Sequence, residues 1–218
     1  MTGTPDVVIT GTGVISALGH DVPAFWSGLC AGEVATHVAP WSSPGHFAWW
    51  AGVREFDPGR WADPAVVSGS DQFTLFTLAA TGQALAMRYQ LHGPSLTFCT
   101  ACASSLDAIG AHGTSTPKGD TAEIRAINQV YDGAPVTVTS IKGNLGHPNG
   151  AAGAQAVVAA LCALRDRKLP HTAGTARVDP EARFEVVTAA PAAIRSGYVQ
   201  VNAFGFGGQN ASLVLGCG

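Results

Sequence analysis

The sequence predicts an α/β protein built in layers. Runs rich in β-branched residues and of strand length alternate with longer stretches that are apolar at helical spacing. Glycine-rich turns separate them, and clusters such as "GAAGA" and "FGFGG" are too irregular for low complexity, so they indicate backbone packed closely on backbone or on a ligand. Of 218 residues, 46% are hydrophobic and only 12% charged, so much of the surface must be buried in a core or against a partner.

Along the chain, "VVITGTGVIS" (7–16) reads as a buried strand followed by a glycine turn. "DVPAFWSGLCAG" (21–32) is a helix with Asp21 as cap, Pro23 in the first turn and Gly32 closing it. Residues 36–70, with four tryptophans, form a long irregular excursion. Residues 71–91 are apolar at helical spacing with Asp71 as cap, and 93–101 turn into a short strand. "CASSLDAIG" (102–110) looks like the first turns of a helix, and "DTAEIRAINQVY" (120–131) is a helix capped by Asp120, with Glu123 completing a capping box. "PVTVTSIKGNLG" (135–146) is a strand entering a glycine loop, and residues 149–170 form a long helix stopped by Pro170. "FEVVTAAP" and "SGYVQVNAFGFGGQNASLVLG" close the chain with strands and a glycine hairpin.

Several functions are excluded. The formal net charge is −3, and no Lys/Arg-rich run or arginine–aromatic interleaving offers a field for nucleic acid. The start lacks the basic region of a signal peptide, and no apolar run reaches the roughly 18 residues of a membrane span, so a cytoplasmic, reducing setting is the default expectation. Cysteines stand at 30, 99, 102, 162 and 217, with no second pair at zinc spacing; Cys30 and Cys162 read as small buried hydrophobes. "GTGVIS" suggests a dinucleotide fingerprint, but Ser16 stands where its third glycine belongs.

The reactive residues gather in three places. Cys102 lies between a short apolar strand and a small-residue helix, where helix amides favour the thiolate and supply donors for an oxyanion. The plain alternative for one cysteine is a buried thiol. "AHGTSTPKGD" (111–120) sets His112 in a loop rich in hydroxyls, and "SIKGNLGHPNGAAGA" (140–154) places Lys142 five residues before His147 in a second glycine loop. Either histidine alone fits a satisfied loop residue; together with the cysteine they suggest imidazoles that donate hydrogen bonds to a developing enolate. Metal ligation is also open to them, but no close carboxylates or thiolates complete a site.

"GPSLTFCTACASSLDAIG", "AHGTSTPKGD", "SIKGNLGHPNGAAGA" and "NAFGFGGQNASLVL", in that order, resemble the β-ketoacyl-acyl carrier protein synthases of type II fatty acid and polyketide synthesis, as does the opening strand and helix. The resemblance implies a thiolase-like α/β/α/β/α fold of two related halves, residues 1–110 with the nucleophile and 111–218 with the histidines. It implies that Cys102 is acylated, and that His112 and His147 assist decarboxylation of malonyl-carrier protein. Lys142 would organise the site, and Thr114 and Thr116 would bind the phosphopantetheine arm. The Cys102 and Phe206 amides would form the oxyanion hole, with Phe206 gating the acyl pocket. No metal or organic cofactor is implied, because phosphopantetheine arrives on the acyl carrier protein. The partners implied are that carrier and a second ketosynthase-like subunit, in a homodimer or a heterodimer.

The chain departs from the family in length. Long family segments have no counterpart between Ala86 and Met87 or between Gly110 and Ala111, and the acidic residue that precedes Ala111 in the family is a glycine here. The expected reason is a sequence that is part of a longer chain; the alternative is a shortened protein that needs a partner subunit. Ala156 stands where carboxylic members carry a glutamate nine residues after the second histidine. A chain-length-factor-like partner without activity is the competing reading, and the presence of Cys102 argues against it. An inactive shortened ketosynthase is a further one. The tryptophan-rich excursion tilts the expectation toward polyketide synthesis.

Overall fold

The computed structural model describes residues 9, 11–45, 49–72, 74–76, 78–80, 83, 108–205 and 209–216. Cys102, Phe206, the strand expected over 93–101, residues 7, 8 and 10 of the segment 7–16 and much of the helix over 71–91 lie outside those residues.

Helix α1 (Val22–Ala31) forms as its caps dictate: the Asp21 carboxylate accepts the Ala24 N–H at 2.8 Å, and Gly32 closes the helix at φ 70°. The excursion after it is more ordered than expected. Strand β1 (His37–Val38) pairs antiparallel with β2 (Trp49–Trp50), and a short helix α2 (Pro64–Gly69) starts behind Asp63, whose side chain accepts the Ala65 N–H. Residues 72, 74–76, 78–80 and 83 are helical, with Asp71 accepting the Thr74 N–H at 2.7 Å as a cap should.

The principal sheet has five strands: β3 (Ala108–Gly110), β4 (Thr137–Thr139), β6 (Glu185–Val186), β8 (Tyr198–Gly205) and β9 (Gln209–Gly216). They lie in the order β6-β4-β3-β8-β9, the first four parallel to their neighbours and β9 antiparallel to β8. Here the helix expected over 102–110 is corrected at 108–110, the part of it that lies within the described residues. Residues 108–110 are the central strand, paired on both sides, with Ala108 and Ile109 fully buried. A run so short and apolar has no period to tell helix from strand, and burial on both faces decides it. This strand joins the sheet made by the chain that follows it.

Helix α3 (Pro117–Tyr131) starts three residues before the expected position, because Pro117 at the first position fixes its φ for the helix and Thr116 takes the capping place. Asp120 therefore lies inside the first turn, and Glu123 is no capping-box partner. Instead Glu123, Ile127 and Tyr131, four residues apart, form the buried stripe against the sheet. After β4 come a single turn, α4 (Lys142–Leu145), and a long helix, α5 (Ala152–Asp166). Helix α5 ends four residues short of Pro170. Arg167 adopts a left-handed conformation at φ 55°, and β5 (Lys168–Leu169) then pairs with β7 (Ala192–Ala193). Pro170 contributes by holding Leu169 extended.

The two faces of the sheet are divided between the helices. Val199, Val201 and Leu215 pack with α5 and with Phe25, Trp26 and Leu29 of α1. Ile109, Val136 and Val138 pack with Ile127 and Tyr131 of α3. Strand alternation thus turns Gln200 and Asn202 of β8 away from α5. Trp26 Nε1 donates to Asp166 Oδ2 at 2.6 Å, tying α1 to the end of α5. Among the described residues no helix is long and apolar enough to cross a membrane.

Candidate active site

His112 and His147 follow the carboxyl ends of the parallel strands β3 and β4, the edge at which α/β sheets place ligands. The His112 backbone is held at both of its polar groups. Its N–H donates to Glu123 Oε1 and the next N–H, of Gly113, to Glu123 Oε2, each at 2.9 Å. Its carbonyl accepts from Lys142 Nζ at 2.5 Å. Glu123 is 6% exposed, so these N–H groups satisfy a carboxylate that would otherwise be costly to bury. Gly113 sits at φ 40°, and a Cβ there would lie 2.8 Å from Ser140 Cβ, whose hydroxyl donates to the Gly113 carbonyl. No other residue type fits that turn without displacing Ser140.

The two imidazoles stand edge to face, with ring centroids 5.7 Å apart and planes at 84°. His112 Nδ1 lies 3.3 Å from the Phe204 backbone N, and His147 Nδ1 lies 3.2 Å from the Asn149 backbone N. A backbone N–H can only donate, so each Nδ1 must offer its lone pair and each neutral ring carries its proton on Nε2. Burial is the main cause that lowers the pKa of both rings, and the Lys142 ammonium adds to it; for His112 the Glu123 carboxylate pulls the other way. Both rings are therefore neutral at pH 7 and present an Nε2–H. The Lys142 pKa is itself lowered, by burial first, against the opposing pull of Glu123 and Asp120. Burial likewise raises that of Asp120, against the backbone N–H groups of Ser115, Thr116 and Thr114.

Of the residues expected from the sequence, the structure brings His112, His147 and Lys142 together. Thr114 and Thr116 are on the same loop, their hydroxyls 3.1 Å apart, and Thr116 lines a cavity of about 860 Å³ that also touches Ser140, Gly143 and Trp49. Cys102 and Phe206 lie outside the described residues. Cys162 is a buried thiol with its pKa raised to about 11 by burial, as expected of a structural cysteine; Cys30 is half-buried and also raised, by burial first. Three participants were not anticipated. Glu123 was readable as a carboxylate in line with Ile127 and Tyr131 on the apolar stripe of its helix. The Phe204 and Asn149 N–H groups had no sequence signal, because a backbone donor carries no mark of its residue type.

Comparison with known proteins bears on this arrangement. Residues 66–176 match the family described as "Beta-ketoacyl synthase, C-terminal domain", a stretch that holds both histidines and Lys142. The chain is 38% identical over 114 residues to the 3-oxoacyl-[acyl-carrier-protein] synthase 2 of Mycobacterium leprae, covering 52% of this chain and 27% of that one. It is 40% identical over 111 residues to the protein of the same name from Mycobacterium tuberculosis, covering 51% and 27%. The match thus spans about a quarter of the length of these curated relatives. The solved structure titled "The ishigamide ketosynthase/chain length factor" superposes over 96% of this chain and 98% of its own with a TM-score of 0.71, at 18% identity, a likeness of fold. The layered α/β fold expected from the sequence is thus that of the ketosynthases, and the chain belongs to the β-ketoacyl synthase family.

Proposed function

We propose that this chain carries the site of a β-ketoacyl synthase, an acyltransferase that performs a decarboxylative Claisen condensation between an acyl thioester and malonyl-acyl carrier protein. The observation that supports it best is the pair of neutral imidazoles, each with Nδ1 occupied by a backbone N–H and Nε2–H left to donate.

The Cys102 thiolate attacks the acyl thioester, a new C–S bond forms, and the carrier's thiol leaves with a proton. Malonyl-carrier protein then enters, its phosphopantetheine arm hydrogen-bonded by Thr114 and Thr116. Its carboxylate departs as carbon dioxide, and the bonding pair becomes an enolate whose oxygen accepts from His112 and His147 Nε2–H. The enolate carbon attacks the acyl carbonyl, held by the Cys102 and Phe206 amides, and Cys102 Sγ leaves as thiolate. Lys142 serves by fixing the His112 carbonyl and by keeping both rings neutral. The reading needs no bound metal or organic cofactor. We read the chain as two thiolase-like halves, 1–110 and 111–218, with Ala108–Gly110 carried in the second half's sheet, and as working beside an identical or ketosynthase-like subunit.

A second reading, a non-catalytic pairing subunit, draws on the fold likeness to a structure titled in part "chain length factor". Intact-mass analysis after incubation with an acyl-carrier protein separates the two. A mass gain equal to the acyl group, absent from C102A, is expected; a folded protein that gains no mass would sink the catalytic reading in favour of the second.

A further inference from the structure

On the α3 face of the sheet, a chain of side chains runs from the far end of α3 to the backbone of His112. Tyr131 Oη donates to Gln200 Oε1 at 2.6 Å, and Gln200 Nε2 donates to Asn202 Oδ1 at 2.8 Å. Asn202 Nδ2 donates to Glu123 Oε1 at 3.2 Å, the oxygen that also accepts the His112 N–H. Ser212 Oγ supplies a second donor to Asn202 Oδ1 at 2.9 Å. Tyr131, Asn202 and Glu123 are 6%, 7% and 6% exposed, so the two ends of the chain are shielded from water, while Gln200 is half-buried and Ser212 exposed.

Every orientation in this chain is forced by the one before it. A carboxylate only accepts, so Asn202 must turn its NH₂ to Glu123 and its oxygen toward Gln200 and Ser212. Gln200 must then present its own NH₂ to Asn202, which leaves its oxygen for the Tyr131 hydroxyl. Burial raises the Tyr131 pKa, which keeps that hydroxyl a donor. Hydrogen bonds aligned head to tail polarise one another, and a buried network is valuable only when complete. Strand β8 therefore holds His112 twice, directly through the Phe204 N–H and, two residues earlier on the strand, through Asn202 and Glu123.

We propose that Tyr131, Gln200 and Asn202 are positioning residues for His112: the chain of donors fixes the Asn202 amide, which orients Glu123 and through it the loop that aims the His112 Nε2–H. None of the three touches substrate. The inference rests on the reading of His112 as a hydrogen-bond donor in the reaction, and its test includes a measurement that does not depend on activity.

The mildest variant is Y131F, which deletes one oxygen atom and leaves Gln200 Oε1 without its donor, so that Asn202 alone holds the Gln200 amide. It is to be compared, in the full chain, with N202L and with W26F, which breaks the part-buried hydrogen bond to Asp166 on the opposite side of the sheet. In ¹⁵N spectra, wild-type His112 should show an unprotonated Nδ1 and a protonated Nε2, held by the Phe204 N–H; in Y131F and N202L the loosened loop should lengthen that contact and let the second tautomer in. Malonyl decarboxylation should fall about fivefold in kcat for Y131F, the worth of one neutral hydrogen bond, and about a hundredfold for N202L, the cost of a misplaced catalytic group. KM should be unchanged in both. W26F should lower the melting temperature and leave the spectrum and kcat as in wild type. A His112 pattern unchanged in Y131F overturns the chain, whether or not N202L alters it; should N202L not fold, Y131F alone decides. If the wild-type protein decarboxylates nothing, the functional reading fails while the spectra still decide the positioning chain.

Discussion

Lys142 Nζ donates to the backbone carbonyl of His112, thirty residues away in sequence, and not to either imidazole. The lysine thus acts on the histidines in two separable ways. Its hydrogen bond fixes where the His112 backbone lies, and its charge disfavours protonation of both rings.

The charge effect has a definite sign. In the proposed mechanism the two imidazoles act in the neutral form, and their folded pKa values lie below the ordinary 6.5, so decarboxylation should hold through neutral pH and fail only as pH drops below that value. In K142M the ammonium is removed and both pKa values should rise, moving the acid limb of the kcat profile toward neutrality. K142R keeps the charge, so its limb should stay near the wild-type position even where its altered shape lowers the plateau. A K142M limb unmoved relative to wild type would show that burial alone sets the protonation of the rings.

Gly113 and Gly174 separate steric from conformational constraint. Both have positive φ, 40° and 76°, but a Cβ at 113 would lie 2.8 Å from Ser140 while one at 174 meets nothing within 4 Å. G174A should cost about 1 kcal/mol, the backbone term alone. G113A should cost more, about 2–4 kcal/mol, by adding the displacement of Ser140, and should also reduce decarboxylation because the turn carries His112. Denaturant titration of the two variants checks the order, and equal losses would contradict the packing described around Ser140.

The placement of β3 is tested by I109A. Ile109 is fully buried between β4 and β8 and packs on Ile127 and Tyr131, so truncation should cost about 2–5 kcal/mol. A loss under about 1 kcal/mol is what the exposed flank of a helix would give, and would restore the helical reading of 102–110.

That correction shows where sequence reading is strong and where it stops. Helix α1 is legible because its caps are local: Asp21, Pro23 and Gly32 each act on neighbours a few residues away. The β8–β9 hairpin is legible from alternation, and His112, Lys142 and His147 from residue type in glycine-rich loops. Strand β3 is not, since three residues with no period of their own become a strand only through partners at 137–139 and 200–201. The start of α3 is misplaced because Asp120 and Glu123 offer a capping box three residues late, while the proline that sets the start has no side-chain hydrogen bond to advertise it. Glu123 is visible as a carboxylate but not as the clamp on the His112 loop, because that role depends on which face of α3 meets the sheet, a tertiary fact. The Phe204 and Asn149 N–H groups that set the two tautomers are backbone atoms and have no signature in any sequence.

The most direct test of the central claim is carbon dioxide release from malonyl-acyl carrier protein by the purified protein and its H112A and H147A variants, with Cys102 acylation followed by mass in the same samples. The account predicts steady release by wild type and a fall of about 10²–10⁴-fold in either variant, the range for loss of one proton-positioning group, while the acyl-Cys102 adduct still forms. Release at the wild-type rate by both variants would contradict it.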